Sequence, residues 1–308
     1  MLNNNRADLR AVLKRTLPRP MTQSIAATAN YGRRLAAWLH VLRSVRGRTS
    51  ADRRVLRRSA MRAPLDILAD IGEWRAPMLL TDAEIGVPGL GAFAIRGGSD
   101  DLGHVLPANN AEIFRVIGAY LKPGDVAIDA GANIGAVTVF MARLVGPQGH
   151  TIAVEMMPDT AARLRHNVAL NGLEAVEIVE QALSDCAGKK IHAQVADGLF
   201  GQASIATVTN PRRALRSVEV ETTTLDAITT GVETIAIMKM DLEGAEPQAL
   251  AGAREMLQRT RAVVFESWAR DGGRTSSILT AAGFAITAID GCNFLASRDQ
   301  IPTRASGA

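Results

Sequence analysis

Downstream of Pro123, short apolar runs alternate with stretches whose apolar residues recur at helical spacing. In order they are VAID, a helix through Val145, TIAVE, a helix from Pro158 to Leu170, VEIVEQAL, TIAIMKMD, a helix from Glu246, AVVFE, FAITAID and NFLAS. Such alternation predicts an α/β fold with a mostly parallel sheet and helices on both faces. The last two runs are separated by Asp290-Gly291, a hairpin turn signal, so a doubly wound seven-stranded sheet with an antiparallel last strand is expected. Residues 77–96 read as a hairpin with Gly and Pro at its turn, followed by a polar loop, GGSDDLGHVLPANN, and a helix, AEIFRVIGAYL, placed to form a lid or entry wall. Residues 1–75 read as helices, including AAWLHVLRSV and a turn at LDILADIGEW, interrupted at Pro18 and Pro20 and by the polar RGRTSADRR.

The run VAIDAGANIGAVTVF, Val126 to Phe140, carries the most chemistry, because a strand ends there in a small-residue loop that opens directly into a helix. Asp129 closes the strand, and Gly131 and Gly135 allow tight turns and close backbone approach. Twenty residues past Gly135, the strand TIAV ends in Glu155, an acid placed to accept both ribose hydroxyls of a nucleoside lying across the strand ends. A dinucleotide site would place glycines where Asn133 and Ala136 stand, since its pyrophosphate needs close backbone approach. S-adenosylmethionine has no phosphate but a zwitterionic tail and a sulfonium, which Asp129 and the two-way hydrogen-bonding Asn133 suit better. It is the expected cofactor, with Asp129, Gly131, Asn133 and Gly135 around the amino-acid moiety and Glu155 on the ribose. Met156 and the segment Gln181–Asp185, with Ala182 and Asp185, are expected beside the adenine. Asp185 equally suits a cap for the turn SDCAGKK. A plain strand-to-helix turn is the alternative reading of the loop.

The run TIAIMKMDLEGAEP places Ile235, Ile237, Lys239 and Asp241 on one strand face and gathers carboxylates at the strand end. A lysine inside a buried strand needs a partner, and Asp241, two residues on, is expected to pair with Lys239 and stay ionised. Glu246 and Pro247 suit the start of the next helix. Glu266 ends the neighbouring strand AVVFE, so two strands each deliver an acid to one crevice, outside the carboxyl ends where ligands of such sheets bind. Asp241, with Glu243 second, is the expected base, and Lys239 and Glu266 complete the candidate catalytic set. Strand-end solvation, capping or ion pairing is the rival role for these acids. Hard oxygen ligands suit Mg²⁺, but no pattern requires one and metal is left unassigned. Of His104, His166 and His192, His104 in the polar loop is the one placed to reach a substrate. GLFGQASI, Gly198 to Ile205, and the loop from Asp100 to Asn110 are the expected acceptor walls.

Charge changes the picture of the ends rather than the middle. The net charge of +4 hides 16 Lys and Arg against 5 Asp and Glu in residues 1–75, with 19 against 26 in the remainder. That basic head, with Leu9, Val12, Leu13 and Leu17 at helical spacing, is open to four readings. It is a solvated extension, one that docks on the acidic body or a second subunit, a membrane-surface contact, or a nucleic-acid contact. The 47% hydrophobic fraction supplies a sizeable core. Two cysteines without a C-x-x-C pair indicate neither a disulfide frame nor structural zinc, and a reducing cytoplasm is the expected compartment. No stretch of about 18 consecutive apolar residues is present, and MLNNNRADLR lacks the apolar core of a secretory signal.

With these residues in view, DAGANIG, VGPQG, Glu155 with Pro158, HNVALNGL, EQALSD, VEVETTTLD and IMKMDLEGAEPQALAGA resemble the FkbM family of S-adenosylmethionine-dependent methyltransferases. The resemblance runs over about residues 90–290, and the K-x-D-x-E-G-x-E string is its most specific part. It implies a class I methyltransferase domain over residues 76–308, its core at about 110–297, after a basic helical extension of residues 1–75. It further implies O-methylation of a hydroxyl on a sugar, glycan or other secondary metabolite. Met156-Met157 departs from the shorter polar or proline-containing pattern of relatives. Two alternatives stand beside it: a nucleic-acid methyltransferase using the basic head, and a non-catalytic S-adenosylmethionine-binding protein. Amino-group enzymes acting on nucleic acid commonly end the fourth strand in Asn/Asp-Pro-Pro-aromatic, whereas this chain has Asp241-Leu242-Glu243-Gly244.

Overall fold

A computed structural model describes residues 19–70, 75–196, 198–204, 215–267 and 273–298. The amphipathic stripe of Leu9, Val12, Leu13 and Leu17 lies outside the described residues, as does Ile205. Helices α1 (Arg19–Ser44) and α2 (Ser50–Ala69) flank a two-residue strand β1 (Arg46–Gly47). Helix α2 begins at Thr49, whose hydroxyl accepts from the Asp52 amide at 3.1 Å while Asp52 Oδ2 accepts from the Thr49 amide at 2.8 Å. That reciprocal cap satisfies two otherwise orphaned donors. Strands β2 (Ala83–Val87) and β3 (Gly91–Ile95) form the expected hairpin, and β1 adds to its edge. Trp38, Val41, Leu56 and Ile67 of the helices share one buried cluster with Ile85 and Phe93 of the hairpin and with Ile134 of the cofactor loop. The N-terminal helices therefore brace the hairpin, and through it the loop.

After the short turn α3 (Asp101–His104) and helix α4 (Pro107–Tyr120), the α/β alternation begins. The elements are β4 (Val126–Ala130), α5 (Ala136–Val145), β5 (His150–Val154), α6 (Pro158–Leu170) and β6 (Val176–Val179). An inserted sheet follows, made of β7 (Ala182–Leu183), β8 (Lys190–Ala196), β9 (Leu199–Ser204) and β10 (Leu215–Thr223). The chain then returns through α7 (Leu225–Ile228), β11 (Ile237–Met240), α8 (Glu246–Ala251), α9 (Arg254–Gln258), β12 (Ala262–Glu266), α10 (Arg274–Ala281), β13 (Ala285–Ala288) and β14 (Asn293–Ser297). Seven strands pair in the order β13-β14-β12-β11-β4-β5-β6, and β14 alone runs against the others. The expected doubly wound sheet with an antiparallel last strand is present. Prolines stand in the first turn of α4, α6 and α8, where the missing N–H costs nothing.

Two departures from the sequence reading matter for the site. VEIVEQAL is not one strand: polar Glu180 and Gln181 interrupt it, and Ala182–Leu183 leaves the main sheet to pair in parallel with β10. The inserted sheet was not foreseen, although Ile191, Ala193 and Val195 alternate with polar residues along β8 as one-sided strands do. On the main sheet, Met238 and Met240 of β11 face α8 and α9, whereas Ile237 packs with Ile113 and Ile117 of α4 and Met141 of α5. By alternation Lys239 shares the α4–α5 side.

Candidate active site

Strands β4 and β11 are parallel neighbours that set Asp129 directly beside Lys239. At their carboxyl ends opens a cleft of about 980 Å³, its mouth included. The floor is the loop after β4. The Gly131 and Ala132 amides donate to the Val154 carbonyl at 3.0 and 2.9 Å, and the Asp241 amide donates to the Ala130 carbonyl at 3.0 Å. Gly131 has φ +83°, and a Cβ there would collide with the Asp241 carbonyl oxygen, so the ends of β4 and β11 touch through a bare backbone. Gly135, also left-handed, sits at the start of α5 against Leu164 and is not part of the cleft wall.

Asp129 is buried, and burial pushes its carboxyl up despite the nearby Lys239 charge and the Thr138 hydroxyl, which donates to Oδ2 at 2.6 Å. Its Oδ1 has no hydrogen-bond partner among the described residues, and neither do the buried Oδ1 and Nδ2 atoms of half-buried Asn133. Asn133 holds φ +49°, a conformation that this residue type tolerates better than most. A carboxylate oxygen and a complete amide aimed into one cleft fit an ammonium and carboxylate pair, the polar ends of an amino acid. Glu155, 8% exposed, accepts from the Asn133 amide at 3.0 Å and the Met157 amide at 2.9 Å, one bond to each oxygen. Each oxygen retains acceptor capacity for a ribose hydroxyl. Burial raises the Glu155 carboxyl to about 7, against the pull of those two amides. Met156 and Ala182 line the same wall beyond it. Replacing Thr138 by Val should remove one of few donors to a buried carboxylate and cost about 1–3 kcal/mol, read as a lower Tm. An unchanged Tm would show that Asp129 does not depend on that hydroxyl.

On β11 Lys239 Nζ donates to Asp241 Oδ2 at 2.7 Å, the pairing that the sequence predicts. Burial would lift the Asp241 carboxyl, but the Lys239 charge and hydrogen bonds from Lys239 and Glu266 hold it below its ordinary value. Glu243, at φ +52°, faces the same cleft. Burial first, then repulsion from Asp241, Glu266 and Glu246, pushes it up to about 7. Glu266 reaches about 7 as well, through burial and the adjacent Asp241 charge, and lies behind Asp241 rather than on the cleft wall. Glu246 accepts from the Leu242 amide at 2.7 Å and opens α8, as a helix starter should. Asp185 is not brought to the cleft. It lies exposed in the turn after β7, beside the Ser184 hydroxyl at 3.1 Å and the Cys186 thiol, because β7 has turned away toward β10. Among the described residues no group of three or more His, Cys, Asp or Glu side chains is arranged to hold a metal ion.

The opposite wall comes from the two segments singled out for the acceptor. His104, Asn110, Phe200 and Gly201 line the cleft. Burial disfavours the charged His104 ring, but the hydrogen bond to Asp100 and the charges of Asp100, Asp241 and Asp101 raise its proton affinity. His166 and His192 lie away from the cleft, beside Glu84 and Ser217 respectively. Sequence reasoning missed the latch that holds this wall. The Asp100 amide donates to the Gly198 carbonyl at 3.1 Å, and the Phe200 amide donates to Asp100 Oδ1 at 3.1 Å. The Arg96 guanidinium grips Asp101 with two bonds of 2.8 and 2.7 Å, reaches Thr160 Oγ1 at 3.2 Å and stacks 3.9 Å from the Phe200 ring centre. A Cβ on Gly201 would strike the side-chain tips of His104 and Asn133, so a larger residue in β9 would push both aside.

A seven-stranded sheet of this order, with an acid at the end of its second strand and a glycine loop after its first, defines a class I methyltransferase. The family model described as the methyltransferase FkbM domain matches residues 129–289, and the chain belongs to that family, with S-adenosylmethionine as methyl donor. The 2-O-methyltransferase NoeI of Sinorhizobium fredii is 29% identical over 174 residues, covering 52% of this chain and 70% of that one. Methyltransferase sdnD of Sordaria araneosa is 31% identical over 202 residues, covering 55% and 77%. The 31-O-demethyl-FK506 methyltransferase FkbM of Streptomyces tacrolimicus is 29% identical over 201 residues, covering 56% and 76%.

Proposed function

We propose that this chain methylates a hydroxyl oxygen of a sugar, glycan or other secondary metabolite, with Asp241 and Glu243 managing the hydroxyl proton. The observation that carries the reading is two acids of opposite proton affinity on one wall of the cleft that holds Asn133 and Glu155. The names of the relatives support oxygen as the acceptor atom, since two of them are O-methyltransferases. When bound, S-adenosylmethionine supplies an electrophilic methyl group on a sulfonium. Asp129, Gly131 and Asn133 hold its amino-acid end, Glu155 its ribose, and Met156 with Ala182 flank its adenine. Gly135 sets the helix start behind that loop, and Asp185 contributes nothing to it.

Ionised Asp241, braced by Lys239, accepts a hydrogen bond from the acceptor hydroxyl and aims its oxygen. Glu243 takes the proton as attack proceeds, because its affinity for one near neutrality exceeds that of Asp241. Glu266 donates to Asp241 from behind and sharpens that difference. A base must be ionised to act, so turnover is expected to rise with pH through about 7 and level above it. Glu243→Gln should flatten that limb in a kcat profile. An unaltered limb would remove Glu243 from this role.

The reaction is tested by incubating the protein with methyl-labelled S-adenosylmethionine and extracts of its source, then locating label by mass spectrometry. Label on an oxygen of a small polyol or glycan is the expected product. Label on nucleic acid, or no transfer at all, overturns the reading in favour of a nucleic-acid enzyme or a binding protein. The cytoplasm, as a reducing compartment, is the proposed location; Cys186 and Cys292 both carry free thiols. No helix among the described residues is long and apolar enough to cross a membrane.

A further inference from the structure

Helix α2 presents two faces of different character. Leu56, Ser59, Ala63 and Ile67 are buried against the hairpin, where Ser59 Oγ also accepts from the Leu80 amide at 3.0 Å. On the outward face Arg54, Arg57, Arg58, Met61, Leu65 and Leu68 recur at three- and four-residue spacing, one stripe of the helix. Met61 is 79% exposed, Leu65 68% and Leu68 55%. Five of the seven large hydrophobic side chains exposed among the described residues lie on α1 and α2, the other two of the five being Leu39 and Leu42. The three arginines have no carboxylate partner among the described residues, whereas Arg48, Arg62 and Arg75 do. Unpaired guanidinium groups leading into exposed aliphatic side chains along one stripe match an anionic surface with an apolar layer beneath it.

We infer that the outward face of α2 docks on an anionic lipid bilayer surface, arginines at the headgroup phosphates and Met61, Leu65 and Leu68 in the layer below. The surrounding charge favours this occupant, since residues 1–75 carry 16 Lys and Arg against 5 Asp and Glu. A symmetric second copy would set arginine against arginine, and the basic residues 1–18 would meet the same repulsion. A nucleic acid would use the arginines but leave the three aliphatic side chains in water. Docking leaves the buried face of α2, and so the brace on the hairpin, intact.

The test is co-sedimentation of the full chain with vesicles of phosphatidylcholine alone or mixed equally with phosphatidylglycerol. Binding is expected to the mixed vesicles only, weakening as NaCl rises from about 50 to about 500 mM. Arg54→Gln, Arg57→Gln and Arg58→Gln together should lower the partition coefficient on the order of a hundredfold. Leu65→Ser alone, a milder change at an exposed site, should weaken binding while leaving the circular dichroism melt unchanged. No binding to the mixed vesicles, or binding indifferent to both variants, overturns the proposal. So does a dimer in light scattering that Leu65→Ser dissociates, or tight binding of duplex DNA or RNA that is insensitive to Leu65→Ser. All these readouts are independent of methyl transfer.

Discussion

Asp241→Asn is expected to slow methyl transfer about 10²–10⁴-fold in single turnover, the range that a positioned proton-handling group contributes. Lys239 holds this side chain ionised on the cleft wall, and the amide cannot accept a hydroxyl hydrogen bond with the same strength or direction. Cofactor binding should survive, because Asp241 meets the cofactor loop through its backbone, whose amide bonds to Ala130. S-adenosylhomocysteine should therefore still raise the Tm of the variant by mass action. Some stability will be lost, since Lys239 keeps a buried charge with only the more weakly acting Asp129 and Glu266 to offset it. Holding the two reactants in line can supply about 7–11 kcal/mol, so residual turnover above the uncatalysed rate is also expected. Wild-type single-turnover rates would end the assignment.

Gly131→Ala should do the reverse and abolish the cofactor-induced rise in Tm. Two penalties add at this position. The left-handed backbone at φ +83° costs about 1–3 kcal/mol with a side chain, and the new Cβ strikes the carbonyl oxygen of Asp241, a residue held in place by its amide's bond to the Ala130 carbonyl. A loss of about 3 kcal/mol or more in global stability is expected, with the loop displaced from the cleft. Gly135→Ala is the control. Its φ is +95°, but its Cβ meets only the tip of Leu164, which can turn away. Strain of about 1–3 kcal/mol with cofactor binding retained is the expected result there. Equal affinity for S-adenosylhomocysteine in wild type and Gly131→Ala would show that this contact between strands does not shape the site.

Much of this cleft is legible in the sequence because its parts are local. The loop from Asp129 to Gly135, Glu155 twenty residues on, and Lys239 two residues before Asp241 are each fixed by the ends of apolar runs. Once alternation specifies a parallel sheet, those ends must converge. What spacing does not reveal is which way a polar interruption sends the chain. Gln181 is followed by a switch from the main sheet to the inserted one, and that carries Asp185 away from the adenine side. The Asp100–Phe200 bond joins residues far apart in sequence, and no periodicity marks it or the local Arg96–Asp101 fork. Glu243 illustrates a finer limit: its role follows from burial and then repulsion by three neighbouring acids, an environment that only the folded chain assembles.

The ribbon of β8 and β9 is inserted in the chain between β6 and β11 and meets the cofactor's residues at Gly201 over Asn133. Its length and side chains can drift without disturbing the nucleoside cradle, provided that the residue at that crossing leaves His104 and Asn133 in place. Homologues that share the cradle can thus diverge in this one appendage to accommodate different alcohols, so chimaeras exchanging it are the natural route to retargeting the enzyme.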